Sequence, residues 1–414
     1  MFDQLFTCPE ATARHRSAPL YDARVQFLQH CRASGSPRGT LRRKARELLV
    51  IIEQLRLRPE GLIRPDAIRA AAQHWAYRQP SHFKLKDAEK ARGHFIRAAT
   101  RWLGFLGRLQ APPAPAYQRL VEAFARYLED EKGLSPLTIR TECGHIGRFL
   151  SRQWAAGRSL ATVAIQHIDA AIAEKGRRDG CCRASIRCYA ASLRAFFRYA
   201  EAQGWCAPGL AAAILAPTVY RHESLPAGPS WVVVQQVLQD TAGTRPVEIR
   251  DHAILLLLAV YGLRSEEIQA LQLADLGWDR EVLTVVRPKA RRTQQFPLTS
   301  AVGDAILRYL QEVRGHRPAR HVFLTLRAPY GPLSRSALWK VVSERLRPLQ
   351  TSLRHLGPHA LRHACATHLL AQGLSMKAIG DQLGHRDPDS TCRYAKVDLA
   401  GLREVAEFDL GGLR

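Results

Sequence analysis

Apolar residues recur with helical spacing through most of the chain, and the interruptions between periodic runs divide it into three segments. From Tyr117 to Lys132 the apolar positions Leu120, Phe124 and Leu128 fall every four residues, which predicts a helix with one buried stripe. Gly133 ends it. Ser135-Pro136 opens the next, because serine caps a helix start and proline suits the first turn. Ile139, Ile146, Phe149 and Leu150 continue that helix, and a further one over Arg187 to Gln203 carries Leu193, Phe196, Phe197 and Tyr199. Residues 116–207 therefore read as all-helical.

Two proline-rich breaks flank this segment. Ala111-Pro112-Pro113-Ala114-Pro115 cannot continue a helix and favours an extended linker. The second break runs from about Pro208 to Pro229, with Pro217, Pro226 and Gly228 and little periodicity. Residues 1–110 repeat the helical plan weakly. Phe27-Leu28 precedes Gly35-Ser36-Pro37 and a basic helix from Thr40 to Leu55, and the run His94 to Leu106 is similar in composition to Tyr189 to Tyr199. A duplicated helical domain is one reading; two Arg- and Ala-rich amphipathic helices that look alike is the other. The repeat length of roughly a hundred residues fits a domain duplication and not a solenoid.

Residues 226–414 are mixed. Arg250 to Tyr261 reads as a buried apolar helix; its longest apolar run, Ala253 to Val260, is far too short to span a bilayer. Gly262 breaks it, and Arg264 to Leu273 resumes as a helix bearing Glu266 and Glu267. Glu281 to Val286 is β-branched and reads as a strand, Phe296-Pro297-Leu298 as the end of a returning strand, with Lys289 to Arg292 in the turn. The remainder reads as helices.

Charge narrows the partners. The 414 residues hold 61 Lys and Arg against 37 Asp and Glu, a formal net charge of +24. Such an excess repels itself on a compact protein unless a polyanion is its usual partner, and nucleic acid fits better than an anionic membrane surface. The nine cysteines (Cys8, Cys31, Cys143, Cys181, Cys182, Cys188, Cys206, Cys365 and Cys392) form no disulfide framework or paired CxxC motif, so reduced thiols in the cytoplasm and no zinc site are expected. Met1-Phe2-Asp3-Gln4 opens no basic segment followed by an apolar run, so no signal peptide is expected.

The candidate chemistry lies toward the C-terminus. Breaking a phosphodiester needs a nucleophile, neutralisation of the non-bridging oxygens, and a proton for the leaving alkoxide. Arginine suits the second task, since its planar fork pairs with two phosphate oxygens and keeps its charge. Arg264 and Arg362 are the candidates. His359 and Arg362, three apart, share a helical face, while His363 is expected to point elsewhere. Histidine moves protons near neutral pH, and Lys289 in a flexible turn can reach a leaving oxygen. Lys289 sits among Arg287, Arg291 and Arg292, a run that also reads as a phosphate-backbone patch. Tyr394, one of 11 tyrosines, follows Leu383-Gly384-His385.

Together these pieces resemble the tyrosine recombinase (phage integrase) family. Tyr261-Gly262-Leu263-Arg264-Ser265-Glu266-Glu267-Ile268 is similar to its first arginine box, T-G-L-R-x-x-E-L. Val286-Arg287-Pro288-Lys289 through Phe296-Pro297-Leu298 resembles its β-hairpin lysine segment, and His359 to Leu370 resembles H-x-L-R-H-x-x-A-T-x-L-L. Leu383-Gly384-His385 and Thr391-Cys392-Arg393-Tyr394 match the closing elements, and Gly133 to Arg140 is similar to the core-binding domain. Tyr261 stands where the family usually has Thr, and Pro288 where it usually has Gly.

The resemblance implies a mainly α protein: a helical, SAM-like core-binding domain over 116–207 and a mostly helical catalytic domain with a small antiparallel sheet over 226–414; residues 1–110 are not part of the family's minimal plan and read from their own pattern as an extra helical domain. It implies that Tyr394 attacks the scissile phosphate to give a 3′-phosphotyrosyl bond. Arg264, Arg362 and His385 would then hold the phosphate, Lys289 would protonate the leaving oxygen, and His359 would assist proton removal from Tyr394. It implies no metal or cofactor, double-stranded DNA as partner, a tetramer on two DNA sites, companion recombinases in some systems, and a tail after Tyr394 that docks on a neighbouring protomer. The extra module suggests service to a mobile genetic element. A type IB topoisomerase-like relaxing enzyme and a non-catalytic DNA-binding accessory are the alternatives.

Overall fold

The periodic runs fold as helices, and the three segments each enclose an apolar core. In the computed structural model the described residues are 1–77, 85–111, 114–220, 228–287, 292–349, 353, 356–385, 387–392 and 394. Lys289, Arg291 and everything after Tyr394, including the expected docking tail, lie outside them.

The N-terminal segment comprises α1 (Phe2–Leu5), α2 (Pro9–Ser17), α3 (Tyr21–Ala33), α4 (Arg38–Leu55), α5 (Pro65–Tyr77) and α6 (Leu85–Phe105). Their apolar faces enclose Leu28, Ile51, Ala72, Phe95, Trp102 and Leu103. Arg24 is wholly buried there; its guanidinium donates to the carbonyls of His15, Ala18 and Pro19 at 2.7–2.9 Å and so completes the C-terminal end of α2. His15 is stacked between Phe2 and Phe6.

The middle segment comprises α7 (Gln118–Asp130), α8 (Pro136–Ala155), α9 (Ile165–Arg177), α10 (Arg183–Ala202) and the short α11 (Leu210–Ala213). Ser135 caps α8, accepting from the Thr138 N–H at 3.3 Å. Phe124, Phe149, Phe196 and Phe197 fill its core with edge-to-face rings.

The C-terminal segment is built around α13 (Pro246–Val260), whose buried positions are Ile, Leu or Ala apart from Asp251, which accepts from Arg250 at 2.9 Å. α12 (Trp231–Asp240) precedes it and α14 (Ser265–Ala270) follows. A three-stranded antiparallel sheet, ordered β1 (Leu276–Gly277), β2 (Val282–Arg287), β3 (Arg292–Pro297), comes next. Arg287 pairs with Arg292, so Arg292 begins β3 and does not lie in the turn. The two-residue β1 was not anticipated; it is too short for alternation to register. α15 (Ser300–Arg308) runs on as a wider turn over Tyr309–Arg314, and α16 (Arg335–Leu346), α17 (Pro358–Ala371), α18 (Met376–Leu383) and α19 (Asp389–Cys392) complete the order.

By density of contacts the chain divides into two units. One joins Met1–Leu109 with Ser224–Arg414, and the other is Gln110–Glu223. Within the first, Gly35 lies so close to the Tyr330 ring that a Cβ on it would come within 2.8 Å. No helix among the described residues is long and apolar enough to cross a membrane.

Candidate active site

Two glycine turns bring the polar residues together. Gly262 leaves α13 with φ +59°, and a Cβ there would lie 2.5 Å from Leu383 Cδ2 and 3.3 Å from Cys365 Sγ. Conformation and space both therefore require glycine. The turn delivers Arg264 to the start of α14, where Glu267 accepts from the Arg264 backbone N–H and from its Nη1, each at 2.8 Å. Gly384 ends α18 in the left-handed conformation, φ +61°.

The carbonyls at the C-terminal end of α18 are met by three arginines. Arg362, from α17, donates to Leu383 O at 2.6 Å and also to Gly262 O. Arg264 donates to Gly384 O at 3.1 Å. Arg287, the last residue of β2, donates to Gln382 O at 2.8 Å and to Leu383 O. A helix C-terminus carries partial negative charge, which favours this arrangement. One reading of the basic run made Arg287 part of a phosphate-backbone patch; it is instead wholly buried. The signal was present in the strand: Leu283, Val285 and Arg287 alternate onto the buried face.

Among the described residues the carboxylate paired with this cluster is Glu267, at 2.8 Å from Arg264 and 3.7 Å from Arg287. Burial pulls Arg362 down to about 10, with Arg264 adding and Glu267 opposing, so it stays charged at neutral pH. Burial likewise lowers Arg287. His385 is pushed down to about 3 by burial and then by Arg362, Arg264 and Arg287, and is neutral at pH 7. Its Nδ1 lies 2.6 Å from Thr391 Oγ1.

Tyr394 closes the cluster. Its ring is 2% exposed and packs with Cys365, Ala366, Ile379 and Leu383. Its hydroxyl lies 2.8 Å from His363 Nδ1. His363 therefore does not point away from the site as expected. Residues four apart lie only about 40° apart around a helix, so His359 and His363 share a face, and their rings sit 4.6 Å apart. Of the predicted site residues, Arg264, His359, Arg362, His385 and Tyr394 are brought together, while Lys289 lies outside the described residues. Among the described residues no group of three or more His, Cys, Asp or Glu side chains is placed to hold a metal ion.

Comparison with known proteins bears on this cluster. The model of the phage integrase family matches residues 233–400, and that of the phage integrase N-terminal SAM-like domain matches residues 121–204. A putative integrase/recombinase (y4rA) of Sinorhizobium fredii is 34% identical over 293 residues, covering 70% of this chain and 71% of that protein. Tyrosine recombinase XerD of Listeria innocua is 28% identical over 290 residues, covering 69% of this chain and 96% of that one. Among solved structures, XerH site-specific recombinase bound to a palindromic difH substrate superposes with TM-score 0.54 at 15% identity, covering 82% of this chain and 94% of that one. The Tn1549 transposon integrase in complex with circular intermediate DNA gives 0.53 at 18% identity, covering 70% and 99%. At those identities the likeness is one of fold.

Proposed function

The chain belongs to the phage integrase family of tyrosine recombinases, enzymes that break and rejoin DNA at specific sites, and from that membership we propose the parts its own residues play. Tyr394 Oη attacks the scissile phosphorus, forming a 3′-phosphotyrosyl bond and releasing a 5′-hydroxyl. The reverse attack by a 5′-hydroxyl rejoins the strand. Arg264 and Arg362 neutralise the non-bridging oxygens, where charge builds as the bond breaks. His385, neutral, donates Nε2–H to the phosphate when its Nδ1 accepts the Thr391 hydroxyl proton. His363 Nδ1 is the nearer acceptor for the Tyr394 proton, with His359 packed beside it as the second. Lys289 serves as the acid for the leaving oxygen.

The observation that carries this reading is the convergence of three guanidinium groups on the α18 C-terminus with one paired carboxylate among the described residues. The cluster holds a surplus of positive charge next to a buried phenol, the setting a phosphate anion completes. The wider proposal is double-stranded DNA as partner, in keeping with the +24 charge, and a tetramer exchanging strands between two sites, with companion recombinases in some reactions. The mobile-element role follows the transposon integrase likeness, and the site of action is the cytoplasm. The 3′-phosphotyrosyl chemistry, the domain limits 1–110, 116–207 and 226–414, and the tail as a docking segment belong to the same proposal. Residues 1–110 carry 21 Lys and Arg against 9 Asp and Glu, which supports a second DNA-gripping helical domain.

The test is a nicked duplex that lets the cleaved fragment diffuse away, carrying a site captured covalently from a random-sequence pool. A stable protein–DNA adduct is expected from the wild type and none from Tyr394→Phe. Exchange of strands between two labelled duplexes separates recombination from simple relaxation. No adduct from any pool would contradict the reading.

A further inference from the structure

Arg287 is given no contact with the reacting phosphate in the steps above, yet it is tied by a single intervening group to each arginine that is. Through Glu267 it reaches Arg264, since that carboxylate lies 2.8 Å from one and 3.7 Å from the other. Through Leu383 O, which accepts from both, it reaches Arg362. Its guanidinium lies 5.5 Å over the Phe296 ring, and its side chain is wholly buried. The adjoining strand adds a second tie: Gln294 Nε2 of β3 donates to Asp381 O at 3.1 Å. The β2–β3 pair is thus seated on the C-terminal end of α18 by two side chains. Gly384 records the tightness of that seat, because a Cβ there would come 2.1 Å from Arg287 Nη1 and 2.5 Å from its Cζ.

We propose that Arg287 is a positioning residue for phosphate binding: it fixes the α18 terminus and Glu267, and through them the directions of the Arg264 and Arg362 guanidinium groups. The planar fork is essential to this role. Two of its nitrogens reach two successive carbonyls while the same group faces a carboxylate, and a lysine ammonium has no such shape. This role rests on the strand-cutting reading above.

The experiment uses the full chain, the captured site and two versions of it, one with the native phosphodiester and one with a neutral methylphosphonate at the scissile position. Adduct formation is followed at saturating DNA for wild type, Arg287→Lys, Arg287→Met and Arg264→Ala, with affinity measured by gel shift. Misdirected guanidinium groups matter only where there is non-bridging charge to neutralise. Both Arg287 variants are therefore expected to bind DNA within threefold of wild type and to lose roughly 100-fold in rate on the phosphodiester, the scale of one lost transition-state donor. On the methylphosphonate that loss shrinks to threefold or less, as it does for Arg264→Ala. If Arg287→Met does not fold, Arg287→Lys decides. A loss of equal size on both substrates, or no loss on either, overturns the role. No wild-type adduct on either substrate overturns the strand-cutting reading itself, whereas a wild-type adduct with an unrelieved Arg287 loss contradicts Arg287 alone.

Discussion

Replacing Gly228 with alanine places one methyl group against the helix that carries Arg362 and His363. The added Cβ would stand 2.7 Å from the Ala364 backbone nitrogen, 2.9 Å from Ala360 O and 3.0 Å from His363 Cβ. None of these belongs to the far end of a flexible side chain, so α17 or the segment leading into α12 must shift by roughly half an ångström, at about 1–3 kcal/mol for overpacking. No left-handed backbone strain adds to this, since Gly228 is not in that conformation. The shift falls where α12 and α17 are pinned by the stacked Trp231 and His368 rings, 3.8 Å apart, so the segment cannot simply lift away. Because a misplacement of about 1 Å can lower a rate roughly 100-fold, the expected loss in adduct formation at saturating DNA is about tenfold. Urea unfolding and adduct kinetics measure the two effects. Gly147→Ala is the control: Gly147 lies within α8 with nothing within 4 Å of the new Cβ, and alanine there is expected to stabilise by roughly 0.5–1 kcal/mol. If Gly228→Ala behaves like Gly147→Ala, gaining stability and keeping its rate, the packing argument is refuted.

Further predictions follow from the buried groups. His15 is buried and held down to about 4 by desolvation and then by Arg24, so the folded state keeps it neutral while the unfolded chain protonates it below about 6.5. Stability of residues 1–110 is therefore lost as pH falls from 6.5 toward 4, by roughly 2 kcal/mol at pH 5. Hydrogen exchange in α3 and α4 should show it, and His15→Phe should flatten the slope. His385 stays neutral down to about 3, so an acid limb in the rate profile between pH 5 and 7 should persist in His385→Gln; its disappearance would assign that ionisation to His385. Gly384→Ala combines about 1–2 kcal/mol of left-handed strain with expulsion of Arg287, and should lower unfolding stability by more than about 3 kcal/mol given the usual penalty for an uncompensated buried charge.

Much of the site was legible because its chemistry is local in sequence. Arg264 and Glu267 lie one helical turn apart, and His359 and Arg362 fall on one short helix, whereas the inward placement of His363 on that same helix was not expected. The helices of residues 116–207 were legible for the same reason: Phe124 and Leu128, then Phe149 and Leu150, mark the buried stripe at the expected spacing. What remained hidden depends on neighbours far along the chain. Arg287 sits in a basic run that also reads as a phosphate-backbone patch, but β2 turns its odd-numbered side chains inward, onto an α18 terminus 96 residues away. Gly228 lay in an aperiodic linker, and nothing local marked its contact with α17. Arg24 gave no sign that it would be buried on three carbonyls, since a lone arginine on a helix is ordinarily a surface charge.

The claim on which the rest depends is that Tyr394 forms the covalent bond to DNA. It is tested by digesting the trapped adduct with nuclease and protease and locating the residual nucleotide by mass. The account predicts a nucleotide joined through its 3′-phosphate to the Tyr394 hydroxyl. A nucleotide on another side chain, or one joined through a 5′-phosphate, would contradict it.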